Sequence, residues 1–167
     1  DTALHLAIKT SDIELVQLFI DNGADKNYID KSIEGAGNTP LMLASTNNHL
    51  EIVKILIDND ADLNLQNSHK CTPLWSASMH GHIDMVKLLL ENGANPNIQI
   101  GEDKMTVLFS VAGKRFDEND IYVTTKRNLD SNDITLRVAR VLLQNGANPN
   151  ILNIHESNVL NLSARIG

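Results

Sequence analysis

The sequence has one cysteine, Cys71. That excludes an intramolecular disulfide and fits a reducing compartment. Basic residues are few: 14 Lys and Arg stand against 21 Asp and Glu, a formal charge of −7. This balance argues against a general electrostatic grip on nucleic acid or anionic lipid. No apolar run approaches the ~18 residues of a membrane span, so no membrane insertion is expected. The chain lacks a Gly-Lys-Ser/Thr phosphate loop and a nucleophile elbow, the two commonest short signatures of nucleotide and acyl chemistry. It opens Asp1-Thr2-Ala3-Leu4, with neither a Met nor a signal-like segment, and so reads as a piece of something longer. With 42% apolar and 21% charged residues, it has the composition of a globular chain able to bury a core.

Asparagine is the abundant residue. There are 20 of them, several in fixed contexts, which points to internal repeats. Four stretches end alike: Asn22-Gly23-Ala24-Asp25-Lys26-Asn27, Asn59-Asp60-Ala61-Asp62-Leu63-Asn64, Asn92-Gly93-Ala94-Asn95-Pro96-Asn97 and Asn145-Gly146-Ala147-Asn148-Pro149-Asn150. Each follows an apolar run of helical period, and each run follows a segment led by Thr2, Thr39, Thr72 or Thr106. A fifth start is Asn158-Val159-Leu160-Asn161.

The intervals between starts are 37, 33, 34 and 52 residues. Against a period of 33, the first excess of 4 falls between Gly23 and Thr39, and the last, of 19, falls between Thr106 and Gly146. The repeats therefore run at about 1–36, 37–69, 70–103 and 104–155, with a partial unit at 156–167 and an insertion at about 116–134 in the fourth.

A 33-residue unit with Thr-Pro-Leu, a helix, Gly-His, a second helix and Gly-Ala-Asp-x-Asn resembles an ankyrin repeat. Thr39-Pro40-Leu41 through Asn64 and Thr72-Pro73-Leu74 through Asn97, including Gly81-His82, carry the resemblance most closely. It implies an all-α solenoid of stacked helix–turn–helix units with projecting hairpins or fingers, in one domain over 1–167. It also implies a concave face lined by the first helices and the fingers.

Local chemistry agrees. Thr39 and Thr72 suit helix N-caps, and Pro40 and Pro73 suit the first helical position, where no N–H partner is needed. Gly81 and Asn48 suit a left-handed residue closing the first helix, and Gly23, Gly93 and Gly146 the end of the second. Asp60 replaces glycine in the second unit at a cost of about 1 kcal/mol. The register places helices near 40–47, 50–58, 73–80 and 83–91. The family's Thr-Pro-Leu-His histidine occurs only as His5. Met42, Trp75, Phe109 and Asn161 replace it, which puts the usual Thr–His hydrogen bond in doubt beyond the first unit. The fourth unit has Val107 for proline and Lys114-Arg115-Phe116 where Gly-His would end its first helix.

Sites of chemistry are not evident. His80-Gly81-His82-Ile83-Asp84 has metal-ligand residue types but no Cys or further His nearby to complete a set; His82 reads as the repeat's Gly-His histidine. Gly35-Ala36-Gly37-Asn38-Thr39-Pro40 resembles a dinucleotide loop, but its third glycine would be Pro40 and no βαβ unit surrounds it. Asp117 to Asn128 fails as a calcium loop, with Tyr122 in place of the glycine and Asn128 in place of the glutamate. No catalytic residue, cofactor or metal is assigned, and an enzyme is not expected.

The resemblance implies a protein partner held across the concave face by a monomer. The residues placed there are Lys9, Thr10, Thr46, Asn47, Trp75, Met79, His80 and Lys114, with Tyr28, Ile29, Gln66, Asn67, His69, Lys70, Gln99 and Ile100 on the fingers. Met79 and His80 are expected to face outward. Trp75, the one tryptophan, reads either as packing between repeats or as a binding hot spot. Alternatively the segment targets a larger enzyme or ubiquitin-ligase adaptor, or belongs to a secreted effector. Asn and Ile together make 36 residues, a bias seen in A+T-rich genomes, and ankyrin proteins with irregular repeats are common in intracellular bacteria. An intracellular, cytoplasmic setting is expected, the host cytosol if the protein is an effector.

The insertion reads as a surface loop, which repeat proteins tolerate; the alternative is a second docking element. Replacing residues 117–132 by a short Gly/Asn turn is expected to leave the thermal midpoint within a few degrees. Loss of the cooperative melt in that variant would show that the segment packs as part of the core.

Overall fold

A computed structural model of the protein describes residues 2–30, 37–113 and 133–161. Among them are eight α-helices: α1 (Ala3–Lys9), α2 (Ile13–Asp21), α3 (Pro40–Thr46), α4 (Leu50–Asp58), α5 (Pro73–His80), α6 (Ile83–Glu91), α7 (Val107–Gly113) and α8 (Ile134–Gln144). They form four consecutive helix pairs, and the first turn of a further helix follows at 159–161. The four expected spans agree to within a residue: α3 stops at Thr46 rather than 47.

Each first helix starts on a hydroxyl. Thr2, Thr39, Thr72 and Thr106 accept from the backbone N–H of His5, Met42, Trp75 and Phe109 at 3.2–3.4 Å. This satisfies one of the N–H groups a helix start leaves unpaired. The first three close on a left-handed residue before the second helix begins: Ser11, Asn48 and Gly81 have φ of 57°, 60° and 73°. Only Gly81 needs to be glycine for space as well, since a Cβ there would lie 3.0 Å from Ile134.

The second helices end in one recurrent loop. The N–H of Ala24, Ala61, Ala94 and Ala147 returns to the carbonyl of Phe19, Leu56, Leu89 and Leu142 at 2.9–3.0 Å. That is a six-to-one closure with a left-handed residue inside it. Glycine fills the left-handed position in three units, and Asp60 adopts it in the second at φ 59°.

The pairs stack so that first helices make one row, α1 on α3, α3 on α5 and α5 on α7, while α2 packs on α4 and α6 on α8. One apolar core runs between the rows from Leu4 and Val16 through Leu41, Leu56, Leu74 and Leu89 to Leu108 and Leu142. The fourth pair closes like the others, with α7 against α8. Asp133 caps α8 through Thr135 N–H at 2.8 Å, so the last two residues of the expected insertion belong to that helix and its cap. Lys114 and residues 116–132 lie outside the described residues. At the fifth start, Asn158 takes the place of threonine. Its Oδ1 accepts from the Asn161 N–H at 2.9 Å while Asn161 Oδ1 accepts from the Asn158 N–H at 2.7 Å, a reciprocal cap.

Asparagine holds the turns together from unit to unit. Asn27, Asn64 and Asn97 each accept, through Oδ1, the backbone N–H of Asp62, Asn95 and Asn148 in the next unit, at 2.7–2.9 Å. Within each turn the residue two positions earlier accepts in turn from the backbone N–H of the Asn, as Asp62 does from Asn64 at 2.8 Å. Asn97 also donates from Nδ2 to the Gly146 carbonyl at 2.9 Å. Asparagine also closes each second helix, where Nδ2 of Asn22, Asn59, Asn92 and Asn145 donates to the carbonyl four residues back; ladder and helix ends together draw on much of the asparagine excess.

Leu89 is fully buried in α6 at the centre of the stack. Leu89→Ala is expected to lower stability by about 2–5 kcal/mol, read as a shift of the urea midpoint at unchanged slope.

Candidate functional site

Between successive pairs the chain makes four projecting fingers, each closed at its base by backbone hydrogen bonds: Asp30 N–H to Asn38 O, Asn67 to Cys71, Ile100 with Met105 in both directions, and Asn153 to Ser157. Among the described residues only the third makes a β-bridge. Side-chain amides complete the second and fourth. Asn67 Oδ1 accepts from the N–H of His69 and Cys71, both at 3.0 Å, as Asn153 Oδ1 does from His155 and Ser157 at 2.9 and 3.0 Å. Lys70, Lys104 and Glu156 take the left-handed conformation at matching positions of fingers two to four, with φ of 61°, 52° and 54°.

The fingers are also braced to one another. Gln66 Nε2 donates to Lys70 O at 2.6 Å, within its finger, and to Gln99 O in the next at 3.0 Å. Gln99 Nε2 repeats this with Lys104 O and Leu152 O, both at 3.0 Å. Asn67 Nδ2 donates to Asn38 Oδ1 at 2.9 Å, which links the first finger to the second. His5 ties the first finger to α1: its Nδ1 meets Thr2 Oγ1 at 2.8 Å and its Nε2 meets Asn38 O at 3.0 Å.

Two finger residues differ from expectation: Asn67 and Ile100, expected from the sequence to face a partner, are buried. Gln66 is partly exposed and Gln99 exposed, but the amides of Gln66, Asn67 and Gln99 also hold the fingers together. What sequence reasoning missed is their bracing role. Its signal is the 33-residue spacing of Gln66 and Gln99.

The structure sorts the remaining candidates into groups. His69 and Lys70 are exposed on the second finger, just ahead of α5. Asn47 and His80 are exposed at the far ends of α3 and α5, and His80 Nδ1 meets the Ser76 carbonyl at 2.8 Å. The eight residues of α5 put about 12 Å between these groups, at ~1.5 Å per residue. Thr46 and Trp75 are partly exposed, and Trp75 packs on the core. Met79, expected to face outward, is likewise partly exposed and packs in part on the core. Tyr28 stands apart at the α1 end of the stack, edge-on to the His5 ring with centroids 6.2 Å apart.

Of the two histidines that flank Gly81, His82 serves the scaffold. His80 and His82 stack with ring centroids 5.6 Å apart, and His82 Nε2 meets the Thr46 carbonyl of the preceding unit at 3.0 Å. Among the described residues no three His, Cys, Asp or Glu side chains converge as metal ligands. No described helix is long and apolar enough to cross a membrane. Burial pushes the Cys71 thiol above its ordinary pKa, since a thiolate there would lose solvation.

An ankyrin-repeat family model, in three copies, matches residues 4–100, which is more than half of the chain. No curated protein matches it.

Cys71 reports on the second finger, whose base its backbone N–H closes. Gln66→Ala is expected to raise the rate of Cys71 labelling by a thiol reagent several-fold, with the thermal midpoint within about 2 °C, because it frees local opening without touching the core. An unchanged rate would show that the finger holds without its brace.

Proposed function

The chain belongs to the ankyrin-repeat family, and from that premise we propose that it is a protein-interaction module. Repeats of this family are in general protein–protein binding modules, and they act by presenting side chains from a rigid stack. The observation that carries the reading here is the contrast between frame and surface. Thr caps, asparagine ladder and finger braces consume the scaffold's own polar groups, while Asn47, His69, Lys70 and His80 stay exposed on the finger and first-helix side. That side is the concave face implied by the family, and we assign the partner to it, centred on repeats two and three. Trp75, partly exposed near the start of α5 between the two groups, supplies its middle, and the partly exposed Thr46 adjoins Asn47.

A partner spanning both groups bridges two adjacent units. A stable complex of ordinary size buries about 1,200–2,000 Å² in total, which needs several adjacent repeats. The acidic balance of −7 disfavours nucleic acid as that partner. The module acts as a monomer without cofactor or catalysis, inside the cell, where its single unpaired thiol is compatible with a reducing milieu.

With a partner captured by pull-down and identified by mass spectrometry, His69→Glu/His80→Glu is expected to weaken binding at least tenfold in calorimetry, about 1.4 kcal/mol. Both side chains are exposed, so far-UV dichroism is expected to stay unchanged. Glu91→Lys, at the end of α6 on the other layer, is expected to have little effect. A larger loss from Glu91→Lys than from the histidine pair would move the site off the concave face.

A further inference from the structure

The carboxylates of this chain are unevenly placed. The first helices α1, α3, α5 and α7 contain no Asp or Glu. None occurs from Gly37 to Leu50 or from Leu63 to Ile83 either, stretches that take in the second finger and the turns after α3 and α5. The described carboxylates of the first three units lie elsewhere. They sit on the second helices and their caps, as Glu14, Glu51, Asp84 and Glu91 do, or in the turns that follow, as Asp25 and Asp62 do. Asp30 is buried at the base of the first finger. Glu102 and Asp103 are exposed on the third finger, where Asp103 Oδ1 turns toward the fourth, 3.9 Å from His155 Nε2.

The net charge of −7 therefore does not decide what the first-helix side attracts. Most of its sources stand on the other helix layer, about 10 Å away at ordinary packing distances. That is of the order of the screening length, ~8 Å at physiological ionic strength. At contact a ligand meets the local groups instead: the Lys70 ammonium, the His69 and His80 imidazoles and the Asn47 amide, all exposed. Spacing narrows the choice further. His69–Lys70 and Asn47–His80 stand about 12 Å apart, with Trp75 between them. An extended peptide advances about 3.3 Å per residue and turns alternate side chains to one face. Its residues i and i+4 thus span about 13 Å, with i+2 midway on the same face. A phosphate backbone fits less well, since it needs several cations along its length and Lys70 is the one Lys or Arg between Leu63 and Ile83.

We propose that the partner docks through an acidic extended segment, with carboxylates at i and i+4 and an apolar side chain at i+2. One carboxylate meets Lys70 and His69, the other meets Asn47 and His80, and the apolar residue covers Trp75. The segment runs along α5 and not across the finger tips, because Glu102 and Asp103 on the third finger repel it there. This inference rests on the concave-face reading above and adds the chemistry of the occupant.

Trp75, the only tryptophan of the chain, reports on the site directly. The probe is a terminally blocked peptide, Gly-Glu-Ser-Leu-Ser-Glu-Gly, titrated into the 167-residue chain while Trp75 emission is followed. A saturable shift is expected, with affinity about tenfold or more above that of peptides carrying Gln or Lys in place of both Glu. Lys70→Glu is expected to weaken binding of the acidic peptide about tenfold or more, through like-charge repulsion at contact. Glutamate suits the left-handed backbone there, since Glu156 adopts it at φ 54° at the matching position of the fourth finger, and far-UV dichroism checks that the variant folds. Lys54→Glu makes the same change in net charge from the exposed side of α4 and is expected to alter affinity less than about twofold, because screening intervenes. Equal or tighter binding of the Lys peptide, or equal losses from Lys70→Glu and Lys54→Glu, would overturn the proposal. So would tighter binding of a short oligothymidylate, or no saturable response to the acidic peptide. A captured partner that His69→Glu/His80→Glu weakens but the acidic peptide does not displace would overturn the acidic segment and leave the concave face in place. A partner more sensitive to Glu91→Lys would overturn both.

Discussion

No unit of this protein can bury its own apolar face. A pair of helices seven to eleven residues long has too little interior to offset the entropy of ordering it. Stability therefore resides in the contacts between neighbouring units, as the buried set Val53, Leu56, Val86 and Leu89 shows. Everything else follows from keeping those contacts in register. The helices are short because the stack, and not helix propensity, holds them. The turns must repeat because an error in one displaces all that follow.

Asparagine solves the register problem with one side chain. Its Oδ1 receives the next unit's N–H and its Nδ2 can give to a carbonyl across the junction, as Asn97 does to Asn148 N–H and Gly146 O. Aspartate at that position would keep the acceptor and lose the donor. Upstream in each turn only an acceptor is needed, and there the sequence uses Asp25, Asp62, Asn95 and Asn148 interchangeably. The division of labour between the two positions follows from what each must donate.

Much of this is legible in the sequence, because the frame is written in residue types with few alternatives. Thr caps, glycine or Asp60 in the left-handed closures and the apolar register of the second helices place the helices of the second and third pairs to within a residue. The finger braces are harder to read. Gln66 and Asn67 look like exposed polar residues, and only the fold shows that their amides meet Gln99 O, Cys71 N–H and Asn38 Oδ1. Met79 is a related case: its side chain is partly exposed and also packs on the core, a double use that its letter does not disclose.

The replaced histidine shows how such a frame frees positions for recognition. In the first unit His5 joins Thr2 to the finger through Asn38 O. In the next three, Met42, Trp75 and Phe109 occupy that place, and the threonine cap persists because it needs only their backbone N–H. Finger bracing passes to Gln66 and Gln99, whose amides do from the finger what the imidazole does from the helix. The side chain at that position is thereby released from holding the scaffold. Met42 and Phe109 are buried, but Trp75 is not fully covered, and it lies between the exposed His69–Lys70 and Asn47–His80 groups. Trp75 is proposed as an interface anchor because it is a partly exposed aromatic fixed on a helix and flanked by polar side chains. Substitution within the repeat code, and not departure from it, is what gives this surface its individuality.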